Sequence, residues 1–418
     1  MSDQSTNGLN RRKPFRLLKV MSKKDIDIFR QFLMSPIYNP LPDKKLIEFF
    51  EHCQRHEVWS SDIGRSAFLE ASGLNLNSGV FDKRISSLNT QLTRFAGAMQ
   101  FAKDDLAHWP YAITYFKQQN LDQKEIDAKH KAGVNKIKKQ VQDEAYFTLL
   151  LKMDLENYSI SRALSPELRD LPQLHKSLDH SYIIQKLSLL CASTNEQTIL
   201  ATSPQKNDEA IRTLMDWMQV MYSRMPTLAT VYYHAYYVLI GQYDEIHYRE
   251  LRVKLREWEA ETKDSNRTEF SDLYGYMINY CLRKSNSGAS DAIWELDTLF
   301  QESLNKGYIL TNGLLPHEHF TTILKVKCRL NLLEEARAFW KQYAEQLTDS
   351  LDGAAAEVNE IFLLFHGQQY KALIEKAEPF LEAKGAMKAD QYYGISLRLT
   401  LLQTYFEYLV VLESSDYE

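Results

Sequence analysis

The sequence predicts an all-α protein: an α-solenoid of stacked helix pairs that follows a small N-terminal helical bundle. Two observations lead to this prediction. Glycine and proline, with 15 and 11 copies among 418 residues, are each near half of their ordinary shares of about 7% and 5%, so the turns that a many-stranded protein needs are scarce. Apolar residues also recur at steps of three and four, which is the spacing of one helical face.

The pairing of helices is clearest between Pro316 and Leu412. One helix ends near Asn331. The apolar face of the next helix is predicted to consist of Leu333, Ala336, Trp340, Tyr343 and Leu347. The same pattern recurs at Gly367, 36 residues further on, and tetratricopeptide repeats have a period of about 34. Each such pair leaves an apolar face that only its neighbour covers, so we expect the stack to be the stable unit.

The hydrophobic pattern divides the chain into four regions. They are a disordered basic tail at residues 1–20, a small helical unit at 21–104, a helical middle region at 105–225, and the array of tetratricopeptide-like pairs at 226–418. The polar segment Ser193–Asp208 is the best candidate for a boundary between an N-terminal and a C-terminal half.

Helix ends and apolar stripes are predicted in the first unit and in the last helix. Helices should begin at Ser22 and Asp43, since both residues are good N-caps, and one should end before Gly73. The stripe of the fourth helix consists of Phe81, Ile85, Leu88, Leu92, Phe95 and Met99. The last helix, Asp390–Leu412, is expected to cap the stack. Its wide apolar arc consists of Tyr392, Ile395, Leu399, Leu402, Phe406 and Leu409.

Three segments carry a resemblance to a known family. They are SKKDIDIFRQFLMSPIYN at Ser22–Asn39, FDKRISSLNTQLTRF at Phe81–Phe95 and LDHSYIIQKLSLLC at Leu178–Cys191. These segments resemble those of long helical bacterial proteins of unknown function that are described as tetratricopeptide-like. The resemblance implies a helical fold over most of the chain, and it brings no activity and no active-site residues with it.

Charge is distributed unevenly along the chain. The formal net charge is −5, yet residues 1–100 contain 15 Lys and Arg against 10 Asp and Glu. Much of this excess lies in the predicted tail, at Arg11, Arg12, Lys13, Arg16 and Lys19. We interpret the tail as a solubilising arm, with an acidic partner as the alternative.

The helix that carries the Phe81 stripe also has a polar face, formed by Arg84, Ser87, Gln91 and Arg94. Such a face on the last helix of a small bundle is typical of winged-helix or helix-turn-helix proteins, whose Arg, Ser and Gln side chains bond phosphates and base edges. It is also typical of an ordinary solvated surface. A regulatory nucleic-acid-binding protein is therefore our second functional hypothesis.

Motifs for metal, cofactor and catalysis are weak. His52 and His56 have helical spacing but no evident third ligand, and His317, Glu318 and His319 lack the spacing of a zinc protease. We expect no metal, no cofactor and no enzymatic activity, because phosphate-binding, nucleophile-elbow and dinucleotide motifs are also missing. The four widely spaced cysteines are typical of buried thiols in a reducing compartment, and we expect a cytoplasmic protein without a secretory or membrane-spanning segment.

The leading hypothesis is a non-catalytic interaction scaffold that binds a peptide or a partner protein on the solenoid surface. Most of the 24 tyrosines should belong to the core, and His234 should be a structural residue. The positions predicted to line a groove are Tyr232, Tyr236, Glu318, Lys325 and Lys327. Partner identity, biological process and oligomeric state do not follow from the sequence.

Overall fold

A computed structural model describes residues 8–39, 43–164, 170–200, 209–241, 244–262, 267–348, 354–382 and 387–415. The all-α prediction is confirmed. These residues form nineteen α-helices and two 3-10 helices, Leu9–Arg11 and Tyr222–Arg224. Their only β-structure is two isolated bridges. Within the described parts of the chain, no helix combines the length and the apolar character that a membrane crossing requires.

The chain divides into two compact units, Met1–Gly133 and Val134–Glu418. The helices of the first unit are α1 (Lys13–Val20), α2 (Lys23–Met34), α3 (Lys44–Arg55), α4 (Arg65–Ser72), α5 (Ser78–Ala102), α6 (His108–Gln118) and the start of α7 (Gln123–Ile137). The helices of the second unit are α8 (Glu144–Leu164), α9 (Leu171–Ile199), α10 (Glu209–Met221), α11 (Thr227–Ile240), α12 (Glu245–Thr262), α13 (Arg267–Asn286), α14 (Asp291–Asn305), α15 (His317–Arg329), α16 (Leu333–Tyr343), α17 (Ala354–His366), α18 (Tyr370–Glu382) and α19 (Met387–Ser415).

Helix ends in the first unit follow local chemistry. Ser22 accepts a hydrogen bond from the Asp25 amide at 3.1 Å, and Asp43 accepts one from the Leu46 amide at 3.1 Å. Both are N-caps that satisfy amides without a partner in the helix, as predicted. Gly73 ends α4 in the left-handed conformation with φ 68°. In the apolar stripe of α5, which packs against α1, α2 and α3, the first five residues are buried, as the spacing predicted, and Met99 is partly buried.

The predicted disordered tail differs from the structure over residues 9–20. Residues 1–7 lie outside the described residues, but Leu9–Arg11 is a 3-10 helix and α1 follows it. Leu9, Phe15 and Leu18 are buried in the core of the first unit. Residues 1–20 lack a regular apolar spacing, and these three side chains are buried by packing against helices that are distant in sequence. The described residues of this unit also contain no strand, which a wing would require.

The predicted boundary at Ser193–Asp208 is not where the two compact units meet. Residues 193–199 continue α9, while residues 201–208 lie outside the described residues. α9 packs against α8 and also against α11. Polar composition predicted a linker here, but the packing of α9 joins the helices on both sides into the second unit.

Consecutive helices of the second unit pack as pairs: α11 with α12, α13 with α14, α15 with α16, and α17 with α18. Neighbouring pairs meet through α11 and α13, α14 and α15, and α15 and α17, and α19 then packs on α17 and α18. The turns of the last two pairs share one geometry. Asn331 and Gln368, 37 residues apart, have φ 57° and 55°, and the residue after each donates a 2.9 Å bond to a carbonyl five residues back. Gln368, rather than Gly367, is thus the equivalent of Asn331.

The predicted faces of α16 and α19 need correction. In α16 the buried residues are Ala336 and Phe339. Trp340 is only half-buried, and its Nε1 donates to the Ala356 carbonyl at 2.9 Å. In α19 the residues packed inward include Tyr393, Leu397 and Thr404. Of the predicted arc, Ile395, Leu399, Leu402, Phe406 and Leu409 point outward instead, because α17 and α18 contact the opposite face of α19. The side chain of Tyr392 lies outside the described residues.

Candidate functional site

A cavity of about 270 Å³ lies between α15, α17 and α19 in the second unit. Its apolar wall includes Leu324, Phe362 and Phe365. Its polar lining consists of Lys325, Arg329, Asn359, His366, Ser396, Thr400 and Gln403. The lining contains no acidic residue. The cavity therefore offers positive charge and hydrogen-bonding groups against an aromatic wall.

Asn359 is fully buried and has one unused hydrogen-bonding group. Its Nδ2 donates to Thr321 Oγ1 at 2.9 Å and to the Ala355 carbonyl at 2.8 Å. Since the Ala355 carbonyl only accepts, these bonds fix which end of the amide is nitrogen. Asn359 Oδ1 then has no hydrogen-bond partner among the described residues. A buried acceptor without a donor costs the folded protein about 1–3 kcal/mol.

A buried chain of hydrogen bonds holds Asn359 in place. Thr321 Oγ1 lies 2.9 Å from the Tyr393 hydroxyl, which lies 3.4 Å from His317 Nδ1. His317 Nε2 in turn lies 3.1 Å from Glu318. The chain links α17, α15 and α19 and ends at exposed Glu318. It therefore couples the orientation of the cavity's amide to the packing of three helices.

Lys325 and Arg329 give the cavity its positive charge. Neither forms an ion pair among the described residues, and Lys325 Nζ lies 5.1 Å from the centre of the Phe362 ring. Partial burial lowers the pKa of the Lys325 ammonium. An ammonium that is partly desolvated and has no acidic partner gains from an incoming anion.

His366 lies at the edge of the same cavity. Burial lowers the pKa of its imidazole, and the opposing effect of Glu407 is smaller. His366 is thus neutral near pH 7 and acts as a hydrogen-bonding group there. The permanent positive charges of the site are those of Lys325 and Arg329.

A second cavity, of about 580 Å³, lies between α12, α13 and α14. Its inner cations are already paired. Arg252 donates two bonds to Glu302, at 2.7 and 3.0 Å, and Lys284 is bonded to Glu245 at 2.5 Å. The hydrogen bond from Arg252 lowers the pKa of the Glu302 carboxyl. These groups stabilise the packing of three helices and leave little net charge for a ligand.

The five predicted groove residues do not form one surface. Tyr232 and Tyr236 are buried. Lys327 is buried as well, and its Nζ lies 3.0 Å from Asp297 and 3.2 Å from Glu335. Glu318 is exposed beside His317. Lys325 lines the cavity between α15, α17 and α19, whereas Lys327 does not, because α15 turns the two side chains in different directions.

The tyrosine-rich helix α11 is a core element. Eleven of its fourteen residues, including His234, are buried. Burial lowers the pKa of the His234 imidazole to about 4. The Tyr222 hydroxyl lies 2.7 Å from His234 Nε2, and His247 Nδ1 lies 2.8 Å from His234 Nδ1. His234 is therefore a neutral, hydrogen-bonded core residue near pH 7.

The polar face of α5 is partly used within the first unit. Arg84 is paired with Asp43, and Arg94 Nη2 donates to the Tyr38 carbonyl at 2.6 Å. Arg94 also lies 3.4 Å from Asn39 Oδ1, while Ser87 and Gln91 are half-buried. Both arginines thus hold the segment between α2 and α3. Nucleic-acid binding by these residues stays a prediction.

The four cysteines are buried free thiols. Burial raises the pKa of Cys328 to about 11 and that of Cys281 to about 12. Cys53 lies in the core of the first unit, between His52 and His56 in sequence. No group of three or more potential metal-ligating His, Cys, Asp or Glu side chains occurs in the described parts of the chain.

Sequence reasoning missed Asn359, a fully buried polar residue of the cavity lining. The available signal was an asparagine within AAAEVNEIFLLF, an otherwise apolar helix face. Comparisons with protein family models, with curated proteins and with solved structures found no match. Inferences about function therefore rest on the chemistry of the site.

Proposed function

We propose that this protein is a non-catalytic interaction scaffold that binds an acidic peptide segment of a partner protein in the cavity between α15, α17 and α19. The observation that carries the proposal is the combination of Lys325, which has no acidic partner, with the unused acceptor of Asn359. A ligand for this pair must bring both a negative group and a hydrogen-bond donor.

An acidic peptide meets both requirements. Its main-chain N–H groups donate to an acceptor such as Asn359 Oδ1, and its Asp or Glu carboxylates pair with Lys325 and Arg329. The apolar wall formed by Leu324, Phe362 and Phe365 accommodates an intervening apolar side chain. The site holds and orients a ligand, and the proposal assigns no chemical step to it.

The proposal includes an α-solenoid architecture of tetratricopeptide-like pairs over α11–α18. It is supported by the recurrence of one turn geometry at Asn331 and Gln368 and by the contacts between neighbouring pairs. In such a stack the first helices of successive pairs share one surface. It also includes a cytoplasmic location. The four buried free thiols support this location, because cysteines stay reduced there.

Fluorescence anisotropy with two labelled synthetic peptides tests the binding site. One peptide is rich in Glu and Asp, and the other has Lys at the same positions. We expect the intact protein to bind the acidic peptide alone. Lys325→Glu should weaken this binding at least about tenfold, since it replaces attraction with repulsion. Asn359→Leu, which removes the acceptor, should weaken it as well.

Lys341→Glu is the matched control. Lys341 is an exposed lysine on α16, outside the cavity lining, and its substitution changes the net charge by the same amount. Circular dichroism of each variant checks that the helices remain. Equal losses for Lys325→Glu and Lys341→Glu would mean that the attraction is non-specific, and this result would overturn the assignment of the cavity.

A further inference from the structure

α1 and the start of α2 carry a dense group of cations at fixed helical positions. Leu9, Phe15 and Leu18 anchor this segment in the core of the first unit. Between residues 11 and 24 the chain has seven Lys or Arg and no Asp or Glu. Five of these cations are exposed and form no ion pair among the described residues. These five, which we call the basic patch, are Lys13, Arg16, Lys19, Lys23 and Lys24.

Three members of the basic patch lie where they do not stabilise their own helices. Lys13 is in the first turn of α1, and Lys23 and Lys24 are in the first turn of α2. The N-terminal end of a helix carries a partial positive charge, so a cation there is unfavourable. Neither helix stability nor ion pairing accounts for these charges, whereas an anionic partner would.

Two exposed apolar side chains lie among the cations. One outward face of α1 consists of Lys13, Arg16, Leu17 and Val20. Their spacing of three, one and three residues places them together on the helix. Leu17 is 44% exposed and Val20 is 83% exposed. The surface that meets this face must therefore be anionic and must also accept apolar groups.

This combination favours an anionic lipid surface over a nucleic acid. A nucleic-acid backbone attracts Lys and Arg through its phosphates, but phosphates give little to exposed Leu17 and Val20. A lipid surface offers anionic headgroups for the cations and, just below them, an acyl boundary into which apolar side chains insert. It therefore satisfies both kinds of side chain on α1.

The composition of the basic patch favours lipid over a protein partner as well. Four of its five members are lysines. Protein interfaces are depleted in lysine and enriched in arginine and aromatic residues, and Phe15, the one aromatic residue of α1, is buried. A lysine is a compact charge on a flexible stem, which suits attraction to mobile headgroups rather than fixed bidentate contacts.

We infer that the basic patch, together with Leu17 and Val20, is a peripheral binding site for an anionic lipid surface. The outward face of α1 meets the headgroups, while Phe15 and Leu18 stay packed in the core. The inference concerns the first unit alone and does not depend on peptide binding in the cavity. It adds a site of attachment to the scaffold.

Cosedimentation of the full chain with lipid vesicles tests this inference. We expect binding to vesicles of equal parts phosphatidylserine and phosphatidylcholine, weakening as salt rises, and no binding to phosphatidylcholine alone. Each Lys or Arg near an anionic surface contributes about fivefold in affinity, so Lys13→Gln, Arg16→Gln and Lys19→Gln together should weaken binding about 100-fold. No binding to the anionic vesicles, or equal binding to both kinds, overturns the inference.

Lys124→Gln, Lys129→Gln and Lys131→Gln together are the matched control. These lysines are exposed on α7, and their substitution changes the net charge by the same amount. It should weaken binding by less than about threefold, because salt screens charges that do not touch the surface. Circular dichroism checks that the helices remain in each variant. Equal losses in the two triple variants would show that only net charge matters, and this result would overturn the assignment to the basic patch.

The apolar side chains distinguish lipid from nucleic acid. Leu17→Ser with Val20→Ser should weaken vesicle binding at least about tenfold, because two apolar side chains no longer insert. Ile37→Ser is the control, since Ile37 is also 83% exposed and lies in the turn after α2. An unchanged affinity of the Leu17→Ser, Val20→Ser variant would overturn the lipid assignment.

Binding to duplex DNA gives the opposite pattern. Duplex binding that is lost when Lys13, Arg16 and Lys19 are replaced but kept in Leu17→Ser with Val20→Ser, without vesicle binding, would overturn the lipid surface in favour of a nucleic-acid backbone.

Discussion

The cavity between α12, α13 and α14 and the cavity between α15, α17 and α19 use charged residues in opposite ways. In the first, Arg252 and Lys284 are paired with glutamates on neighbouring helices. In the second, Lys325 and Arg329 have no ion pair among the described residues, and Asn359 Oδ1 has no donor. Arg252 and Lys284 of the larger cavity are thus already bonded, while Lys325, Arg329 and Asn359 of the smaller one have interactions left to make.

This difference distinguishes charged side chains that are paired within the fold from charged side chains that are unpaired and available to a ligand. A cation that is already bonded to two carboxylates contributes to packing, and a ligand would first have to displace those carboxylates. An unpaired cation and an unused acceptor cost the folded protein free energy, which a suitable ligand returns as affinity. The proposed binding site is therefore assigned from its unpaired groups and not from the volume of its cavity.

The largest effect expected from this comparison is on stability. Arg252→Met should lower the free energy of unfolding by about 2–3 kcal/mol, because it removes the cation that the partly buried carboxylates of Glu302 and Glu295 share. Glu302 would keep the longer contact with exposed Arg256, at 3.5 Å. Lys325→Met should not lower it, because no ion pair is lost and the cost of a partly buried charge disappears. Urea denaturation measures both values. Equal losses in the two variants would remove the distinction between the cavities.

A smaller effect concerns the pH dependence of peptide binding. The pKa of Lys325 is lowered, so as the pH rises its ammonium loses the proton earlier than an ordinary lysine, whose pKa is about 10.4. Binding of the acidic peptide should weaken as the pH rises through this range. The folded state should gain stability over the same interval, since the unfavourable charge disappears.

Lys325→Arg is the control for this pH dependence, because an arginine stays charged throughout it. Its affinity for the acidic peptide should remain constant where that of the unaltered protein falls. Anisotropy titrations between about pH 7 and pH 10 make the measurement. Parallel curves for the two proteins would show that another group titrates.

The smallest effect is expected at α5, where the competing nucleic-acid hypothesis makes its own prediction. Arg94→Ala should cost about 1 kcal/mol of stability, because it removes the bond to the Tyr38 carbonyl. We expect no change in the retention of the protein on heparin or on duplex DNA. A binding curve that falls steeply with salt and is lost in both Arg84→Glu and Arg94→Glu would support a nucleic-acid-binding protein.

Local signals predicted much of the fold. The N-caps Ser22 and Asp43 bond to amides a few residues further along the chain, so they can be predicted from the local sequence. The stripe of α5 was predicted correctly because its opposite side is polar, and only one face of the helix is apolar. Low glycine and proline content correctly indicated an all-α chain.

Other features depended on which neighbour a helix meets. α19 is apolar on two sides, so periodicity alone did not distinguish the packed face from the exposed one. Tyr232 and Tyr236 were predicted to line a groove, yet α11 is contacted by α9, α12 and α13 and has little free surface. The tail was predicted as disordered because its apolar residues show no periodicity, while the partners of Phe15 and Leu18 are distant in sequence.

The two lysines of α15 show most clearly what could not be predicted from the sequence. By itself, the sequence determined that the chain is helical, where many helices begin, and that Lys325 and Lys327 belong to one helix. Only the tertiary structure decided that Lys327 meets Asp297 in the interior while Lys325 borders a cavity with Asn359. Helical periodicity is a property of neighbouring residues, whereas pairing of a charge depends on residues brought together from distant parts of the chain.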